Sequence, residues 1–253
     1  MSKIVIVTGA TSGIGKASAL LFAKNNYKVI ITGRRSERLD ELKAAIEQFN
    51  VKCYTLNFDV RDKDSVVKNI TTLPNEWKNI NVLVNNAGLG LGKEPLQEGN
   101  SADWDVMIDT NVKGLLYITE AVLPLMPTNG TSHIVNISSI SGLQAYPGGN
   151  VYCASKHAVE GLTNGMRIDL LDKSIKVTSI APGLVETEFS MVRFKGDKEK
   201  AAAAYKGIAP LTGEDIAECV FWAVDRPANV SINQITVMAG GQADAVFIKR
   251  DND

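Results

Sequence analysis

Near its N-terminus the chain reads Ile4-Val5-Ile6-Val7-Thr8-Gly9-Ala10-Thr11-Ser12-Gly13-Ile14-Gly15. This stretch begins with a short apolar, β-branched run, which ahead of glycines predicts a buried strand. Apolar residues at helical spacing follow over Lys16–Lys24, so a helix is predicted after the glycines. This order is typical of dinucleotide sites, because glycine lets the backbone approach a pyrophosphate and the helix N-terminus offers it free N–H groups.

The rest of the chain alternates between strand-like and helix-like patterns. Strands are predicted over Ile4–Val7, Lys28–Thr32, Lys52–Asn57, Val82–Val84, His133–Ile137, Lys176–Ala181 and Gln234–Met238. Helices are predicted over Lys16–Lys24, Ser36–Phe49, Lys63–Thr72, Ala102–Leu115, Leu115–Met126, Tyr152–Leu171 and Gly213–Val224. Such alternation predicts a single α/β domain over residues 1–253, a Rossmann-type doubly wound parallel sheet with helices on both faces.

Composition supports one domain and argues against several kinds of partner. The 253 residues are 45% apolar and 22% charged, which suits a single core. A net charge of −1 gives no electrostatic reason to expect nucleic acid or an anionic membrane as a partner. No apolar run approaches the roughly 20 residues that span a bilayer, and the N-terminus lacks the long apolar segment of a secretory signal.

Cysteine and histidine usage predicts a cytoplasmic protein without a metal site. Cys53, Cys153 and Cys219 are few, odd in number and far apart, which favours reduced thiols over disulfides. The chain has only two histidines, His133 and His157, and neither lies within metal-ligand spacing.

A tyrosine and a lysine stand one helical turn apart, at Tyr152 and Lys156. At this spacing both side chains lie on one face of a helix. A fixed cation favours the phenolate, so the pKa of the tyrosine is expected to fall from about 10 toward the range of a proton shuttle. Alone this pair is a weak signal, because helical surfaces often carry it without function.

The glycine spacing is G-x-x-x-G-x-G, a variant of the dinucleotide fingerprint, and it resembles that of the short-chain dehydrogenase/reductase family. The remaining motifs of that family stand in its order and spacing. They are Asn85-Asn86-Ala87-Gly88 after a predicted strand, Asn111 in Asp109–Gly114, Ser139 in Asn136–Ser139, the Tyr152/Lys156 pair, and Pro182-Gly183 with Thr187.

The resemblance implies a role for each catalytic residue. Ser139 would hydrogen-bond the substrate oxygen, Tyr152 would give or take the proton, and Lys156 would lower the pKa of Tyr152 and bind the nicotinamide ribose. Asn111 would hold a water that links Lys156 to solvent. The structural alternatives are a turn role for Ser138 or Ser139 and a helix-bonding role for the Asn111 amide.

Cofactor choice depends on the end of the second predicted strand. Gly33 stands where the family usually has the acidic residue that selects NAD, and Arg34 and Arg35 follow it. Guanidinium groups suit a phosphate, so NADP(H) is expected. Alternatively, Arg34, Arg35 and Arg38 form a solvated helix start, although cations there oppose the helix dipole.

Asp59-Val60, after the third predicted strand, resembles the family's adenine contact, and Asp59 is also a candidate N-cap for the next helix. The expected cofactor site comprises Gly9, Thr11, Ser12, Gly13, Ile14, Gly15, Arg34, Arg35, Asp59, Val60, Asn86, Ala87, Gly88, Tyr152, Lys156, Pro182, Gly183, Val185 and Thr187.

Further stretches resemble the NADP-dependent 3-hydroxy acid dehydrogenases, which include enzymes acting on serine and allo-threonine. They include Leu73–Trp77, Gly148–Tyr152, Pro182–Ser190 and Val192–Asp197. The resemblance implies that a small 3-hydroxy acid, such as serine, allo-threonine or 3-hydroxypropionate, is interconverted with its carbonyl form. Two alternatives stay open: a reductase of another carbonyl (a malonic semialdehyde, a diketone or a 3-oxoacyl thioester) and a non-catalytic NADP-sensing regulator.

A carboxylate substrate needs a cation, and residues 188–207 have the mixed charge of a helical insertion that covers a substrate. Arg193 and Lys195 in this expected lid are the candidates, against the alternative that their charges are merely solvated. The tail Ala239–Asp253 departs from the pattern of the group. Because the family often builds its tetramer from the C-terminus, a homotetramer is implied, with assembly in question.

Overall fold

The computed structural model describes residues 2–251, so Met1, Asn252 and Asp253 of the expected domain lie outside the described residues. The strands are β1 (Ile4–Val7), β2 (Lys28–Gly33), β3 (Cys53–Asn57), β4 (Val82–Asn85), β5 (Ser132–Ile137), β6 (Ile175–Pro182) and β7 (Gln234–Val237). The α-helices are α1 (Gly13–Lys24), α2 (Ser36–Glu47), α3 (Lys63–Thr71), α4 (Ser101–Ile108), α5 (Leu115–Val122), α6 (Asn150–Asp169), α7 (Phe189–Arg193), α8 (Lys198–Ala203) and α9 (Gly213–Val224). The strands of this described range form one parallel sheet in the order β3-β2-β1-β4-β5-β6-β7, which confirms the predicted fold class.

Each face of the sheet is covered by helices. Val5 and Val7 of β1 pack on one face with α1, α2 and α9, whereas Ile4 and Ile6 pack on the other with α3, α5 and the end of α6. Because successive residues of a strand point to opposite faces, the continuous apolar run of β1 fits burial on both sides. Strand order reverses between β1 and β4, and a crevice forms at such a switch point outside the carboxyl ends of the strands.

The two helices predicted to meet at Leu115 are separated by a turn of different geometry. The α4 helix ends at Ile108, residues Asp109–Gly114 form a π-helical turn, and α5 starts at Leu115. A π-turn inserts an extra residue and re-aims side chains, and hydrophobic spacing gave no sign of it. The predicted end at Met126 was also too late, because a 3-10 turn containing Pro124 follows α5.

Two segments close over the carboxyl end of the sheet. Residues 188–207 contain α7 and α8. The tail folds back as a small hairpin in which Gln242 bridges Ile248, and the Gln242 Oε1 atom accepts from the Leu184 N–H at 2.8 Å. No helix within residues 2–251 is both long enough and apolar enough to cross a membrane.

Candidate active site

A cleft of about 480 Å³ opens at the carboxyl ends of β1, β4, β5 and β6, within the usual size range of small-molecule sites. Two of the predicted site residues, Gly15 and Asn111, lie behind its wall. The others line it: Gly9, Thr11, Ser12, Gly13, Ile14, Arg34, Arg35, Asp59, Val60, Asn86, Ala87, Gly88, Ser139, Tyr152, Lys156, Pro182, Gly183, Val185, Thr187 and Arg193.

The glycine turn is shaped so that only glycine fits. Gly9 and Gly13 have positive φ angles of 63° and 49°. A Cβ atom on Gly9 would lie 2.9 Å from the Ala87 Cα atom, and one on Gly13 would lie 2.9 Å from the Thr187 methyl. Ser12, the N-cap of α1, makes no side-chain cap, so the first N–H groups of the helix stay available to an anion. This cradle fits the pyrophosphate of a dinucleotide.

Gly15 packs against Asn86 and does not line the cleft. Its Cβ position lies 2.4 Å from the Nδ2 atom of Asn86, and that amide donates to the carbonyl oxygens of Thr8 and Gly9 at 2.9 and 3.1 Å. The absence of a side chain at Gly15 therefore lets Asn86 connect the end of β1 to the segment after β4.

At the far end of the cleft, the arginines that follow β2 are paired with carboxylates. Arg35 donates to Glu188 at 2.7 Å and to the hydroxyls of Thr11 and Ser12 at 2.7 and 3.2 Å, and Arg38 also pairs with Glu188. Arg34 lies 3.6 Å from Asp59. Glu188 and Asp59 therefore offset only part of the positive charge at the start of α2, because three arginines share these two carboxylates and Asp59 also pairs with Arg61.

The N-cap alternative for Asp59 is wrong. Asp62 caps α3, accepting from the Ser65 N–H at 3.1 Å. Asp59 instead accepts from the Arg61 guanidinium at 2.7 Å. Burial acts to raise the pKa of Asp59, but the hydrogen bonds and charges of Arg61 and Arg34 outweigh it and leave that pKa below its ordinary value.

Tyr152 and Lys156 share the buried face of α6, and both side chains are nearly inaccessible, with 8% and 6% exposure. The Tyr152 ring packs with Leu89 and Met107 and lies 5.5 Å from the Phe189 ring. Burial is therefore the dominant influence on the pKa of both Tyr152 and Lys156.

The predicted lowering of the tyrosine pKa is not observed. Burial, with a smaller contribution from Tyr146, raises the pKa of Tyr152, and the Ser139 hydroxyl and the Arg193 charge oppose this only weakly. Lys156 is itself desolvated, which lowers its pKa to about 8, and its ammonium donates to the Ile137 carbonyl oxygen at 2.9 Å. Here a neutral phenol is favoured, the form that donates a proton to a carbonyl.

The Ser139 hydroxyl caps a turn and also lies next to the Tyr152 phenol. This hydroxyl accepts from the Ser141 N–H at 3.1 Å, capping the 3-10 turn Ile140–Gly142, and also influences the pKa of the Tyr152 phenol through a hydrogen bond. The turn role weighed as an alternative is therefore real and coexists with a position at the phenol. Ser138 has a buried hydroxyl without a partner in residues 2–251.

The Asn111 amide makes three hydrogen bonds, two of them to the backbone of Leu89. Its Oδ1 and Nδ2 atoms bond the Leu89 N–H and carbonyl oxygen, both at 2.8 Å, and Nδ2 also donates to the Ser155 hydroxyl at 3.0 Å. The π-turn aims this side chain inward. Asn111 thus fixes the segment after β4 against α6, close to Lys156, rather than bonding within its own helix.

Arg193 is a buried cation with an unused donor. It is 9% exposed, its Nε atom donates to the Gly92 carbonyl oxygen at 2.9 Å, and its Nη1 atom donates to the Tyr146 hydroxyl at 2.7 Å. Its Nη2 atom is buried and has no partner among residues 2–251. The guanidinium carbon lies 5.4 Å from the centre of the Tyr152 ring. Because a buried unpaired donor is costly, this nitrogen is suited to an incoming acceptor.

Lys195, the other candidate for a substrate carboxylate, is already paired. Its ammonium lies 2.7 Å from Asp103, a residue at the start of α4. It therefore attaches the 188–207 segment to the body of the protein, and Arg193 is left as the substrate candidate of that segment.

Sequence reasoning missed several residues that line the same end of the cleft: Lys93, Tyr146, Phe189, Gln242 and Arg250. No local motif marks them, and the last two belong to the tail, for which no structure was predicted. Residues 2–251 contain no cluster of histidine, cysteine and carboxylate side chains that could hold a metal ion.

Comparisons with known proteins agree with this architecture. A family model described as short chain dehydrogenase matches residues 3–198. The chain is 46% identical over 253 residues to sulfoacetaldehyde reductase 2 of Chromohalobacter salexigens, covering 99% of this chain and all of that protein. It is 48% identical to an NADP-dependent 3-hydroxy acid dehydrogenase of Salmonella typhi, covering 96% and 97% of the two chains. A closed form of serine dehydrogenase complexed with NADP⁺ superposes with a TM-score of 0.92 at 46% identity, covering 98% of this chain and 100% of that one. The chain therefore belongs to the short-chain dehydrogenase family.

Proposed function

We propose that this short-chain dehydrogenase uses NADP(H) to interconvert a small 3-hydroxy acid and its carbonyl form. The observation that carries the proposal is the buried, unpartnered Nη2 atom of Arg193 next to the Tyr152 ring. It puts a site for an anionic group beside a proton donor. Relatives named for 3-hydroxy acids and for serine act on molecules that have a carboxylate near the reacting hydroxyl.

The end of the cleft lined by Ser139, Tyr152 and Lys156, called the catalytic end below, can give a proton to the substrate oxygen. When bound, the nicotinamide supplies or accepts the hydride. In the reducing direction Tyr152, which burial keeps neutral, gives its proton to the substrate oxygen, and Ser139 hydrogen-bonds the same oxygen as charge develops on it. Lys156, whose pKa is about 8, binds the ribose and lies close enough to neutrality to exchange a proton near physiological pH. Asn111 keeps the segment beside Lys156 in position.

NADP(H) is favoured over NAD(H) by the far end of the cleft. Gly33 leaves no acid to accept from the adenosine ribose, and Arg34 and Arg35 follow it in the cleft wall. A 2′-phosphate would be offered guanidinium donors from both, since Arg34 is exposed and only loosely paired with Asp59.

The test removes the Arg193 charge and compares substrates. Arg193→Met should lower kcat/KM for a 3-hydroxy acid far more than for a neutral diketone, by about tenfold to a hundredfold, the usual loss for a charge-assisted hydrogen bond. Lys195→Met, which removes a cation from the same segment that is already paired with Asp103, is the matched control and should leave the ratio unchanged. A parallel loss for charged and neutral substrates after Arg193→Met would refute carboxylate recognition by this residue.

Reduction of a sulfonated aldehyde is a second candidate function. The tail residues Gln242, Ala245, Ile248 and Arg250 line the cleft, and the sulfoacetaldehyde reductase relative aligns over 253 residues, whereas the 3-hydroxy acid dehydrogenase aligns over 243. Sulfoacetaldehyde has one methylene between its carbonyl and its anionic group, as malonic semialdehyde does, so Arg193 could serve either. Rates of NADPH oxidation with the two aldehydes, measured side by side, decide which anion the site prefers.

We further propose that residues 1–253 act as one catalytic domain and that residues 188–207 form its substrate lid. We also propose a homotetramer in the cytoplasm. Ile168 and Leu171, at the end of α6 and just beyond it, are 77% and 73% exposed, and burial between subunits would stabilise such side chains. Light scattering of the purified protein tests the assembly, and Ile168→Lys should reduce its mass if this surface is an interface.

A further inference from the structure

The catalytic end of the cleft carries more positive charge than one carboxylate can balance. Lys93, Arg193 and Arg250 all line it. Lys93 and Arg193 share the ring of Tyr146, with the Lys93 ammonium 5.8 Å and the Arg193 guanidinium carbon 5.5 Å from its centre. Arg193 lies inside, whereas Lys93 is exposed at the mouth.

None of these cations is paired with a carboxylate of residues 2–251. The nearest acid in sequence, Glu94, is turned to the backbone and accepts from the Lys93 N–H at 2.9 Å. Arg250 donates to the carbonyl oxygens of Lys206 and Ala204, which leave its charge unbalanced. Burial first, and then the charges of Arg193 and Arg250, lower the pKa of Lys93.

The cations differ in what they still offer. Arg193 has one buried donor left, which one oxygen of a substrate anion satisfies. Lys93 has an exposed ammonium at the mouth, next to the Tyr146 ring that Arg193 also approaches. A substrate whose single carboxylate binds Arg193 leaves the repulsion between Lys93 and Arg250 in place. A substrate with a second anionic group at its outer end reduces this repulsion.

We propose that Lys93 forms a second anion subsite, so that the substrate class is dianionic: a 3-hydroxy or 3-oxo acid with a further carboxylate at its other end. This inference rests on the proposed function and specifies its substrate. The inner carboxylate binds Arg193, the reacting carbon lies at Tyr152, and the outer carboxylate pairs with Lys93. Lys93 acts on substrate charge and takes no part in proton transfer.

The test uses substrates that differ in one carboxylate. Initial rates of NADPH oxidation are measured with 3-oxoglutarate, a dianion, and acetoacetate, a monoanion. The unmodified enzyme should favour 3-oxoglutarate in kcat/KM. Lys93→Met, which removes the ammonium but keeps an unbranched apolar side chain, should lower kcat/KM for 3-oxoglutarate about tenfold or more and that for acetoacetate less than about threefold, since a paired charge is lost in one case alone. Lys24→Met, which removes an exposed lysine at the end of α1, is the matched control and should change neither value.

A binding measurement separates this inference from the proposed function. Glutarate and butyrate are titrated calorimetrically into the NADPH complex, and glutarate should bind more tightly to the unmodified enzyme but not to Lys93→Met. This result would support the subsite even if neither 3-oxo acid were reduced, an outcome that would reject only the proposed substrate chemistry. Equal losses for both substrates in Lys93→Met, or no preference of the unmodified enzyme for the dianions, would overturn the second subsite.

Discussion

The two ends of the cleft hold their charges in opposite ways. At the adenosine end Arg35 and Glu188 are each 42% exposed and are paired with each other, and Arg34 is 60% exposed. At the catalytic end Tyr152 and Lys156 are buried, their pKa values are displaced, and Arg193 keeps an unpartnered donor. Water screens charges at the first end, whereas the buried side chains of the second end are screened far less, so equal chemical changes should have unequal consequences.

The largest effect is expected from the buried phenol. Tyr152→Phe removes the hydroxyl proposed to transfer the substrate proton and leaves the packing with Leu89 and Met107 nearly intact. We expect kcat to fall at least about 10²–10⁴-fold, the usual contribution of general acid–base catalysis. Stopped-flow kinetics with NADPH measure the loss, and fluorescence titration should show nearly unchanged NADPH binding. Activity within about threefold of the unmodified enzyme would remove Tyr152 from the mechanism.

The fold was predictable because its signals are local. A glycine turn after β1, apolar strands of a few residues and amphipathic helices between them define the doubly wound sheet, and the structure confirms it. The glycine turn and Arg34 lie in one cleft because the carboxyl ends of parallel strands meet at one edge, whereas the place of Tyr152 and Lys156 beside them was implied by the family resemblance.

The remainder of the site depends on contacts between distant parts of the chain. Arg35 and Glu188 are separated by 153 residues and Arg193 and Gly92 by 101, and no periodicity encodes such pairs. The same reason explains the wrong direction for the Tyr152 pKa. The spacing to Lys156 was visible in the sequence, but burial by Leu89, Met107 and Phe189 was not.

The buried ammonium gives the second test of the contrast. The pKa of Lys156 falls from its ordinary 10.5 to about 8 on folding, so below pH 8 both states carry the proton and the folded state bears the full cost of a buried charge. Between pH 8 and 10.5 the folded state releases the proton while the unfolded state keeps it, so this cost is relieved as pH rises. The free energy of unfolding of Lys156→Met, taken relative to that of the unmodified protein, should therefore decrease by on the order of 3 kcal/mol between pH 7 and pH 10. The variant should also lose activity, because it lacks the proposed ribose-binding ammonium.

Denaturant unfolding at each pH measures this difference, and taking it against the unmodified protein cancels the other groups that titrate in that range. The Ile137 carbonyl oxygen loses its donor in the variant at every pH, which shifts the absolute stability but not its slope. A pH-independent difference between the two proteins would show that Lys156 keeps its ordinary pKa in the fold.

At the exposed end a single arginine should matter less. Arg34→Ala removes one candidate donor to the 2′-phosphate. The side chain is 60% exposed and its distance of 3.6 Å to Asp59 is long for an ion pair, so the folded protein loses little stability. We expect the KM for NADPH to rise about tenfold, at the lower end for a charged hydrogen bond, and the KM for NADH to stay the same. Equal changes for both cofactors, or equal use of both by the unmodified enzyme, would contradict phosphate recognition by Arg34.

The smallest effect, and the sharpest test of screening, concerns Glu188. Its carboxylate pairs with Arg35 and Arg38, so a phosphate that approaches Arg35 meets a second anion on the same guanidinium. Arg35 is also held by Thr11 and Ser12, so its orientation does not depend on Glu188. Glu188→Gln should therefore tighten NADPH binding by about twofold to fivefold, the range of an exposed ion pair, without affecting NADH binding.

Glu186→Gln, which neutralises an exposed acid two residues earlier, is the control. The gain should shrink in high salt, because screening weakens the repulsion that the variant removes. Weaker NADPH binding by Glu188→Gln would instead show that Glu188 orients the arginines, and that this exposed end is organised as tightly as the buried one.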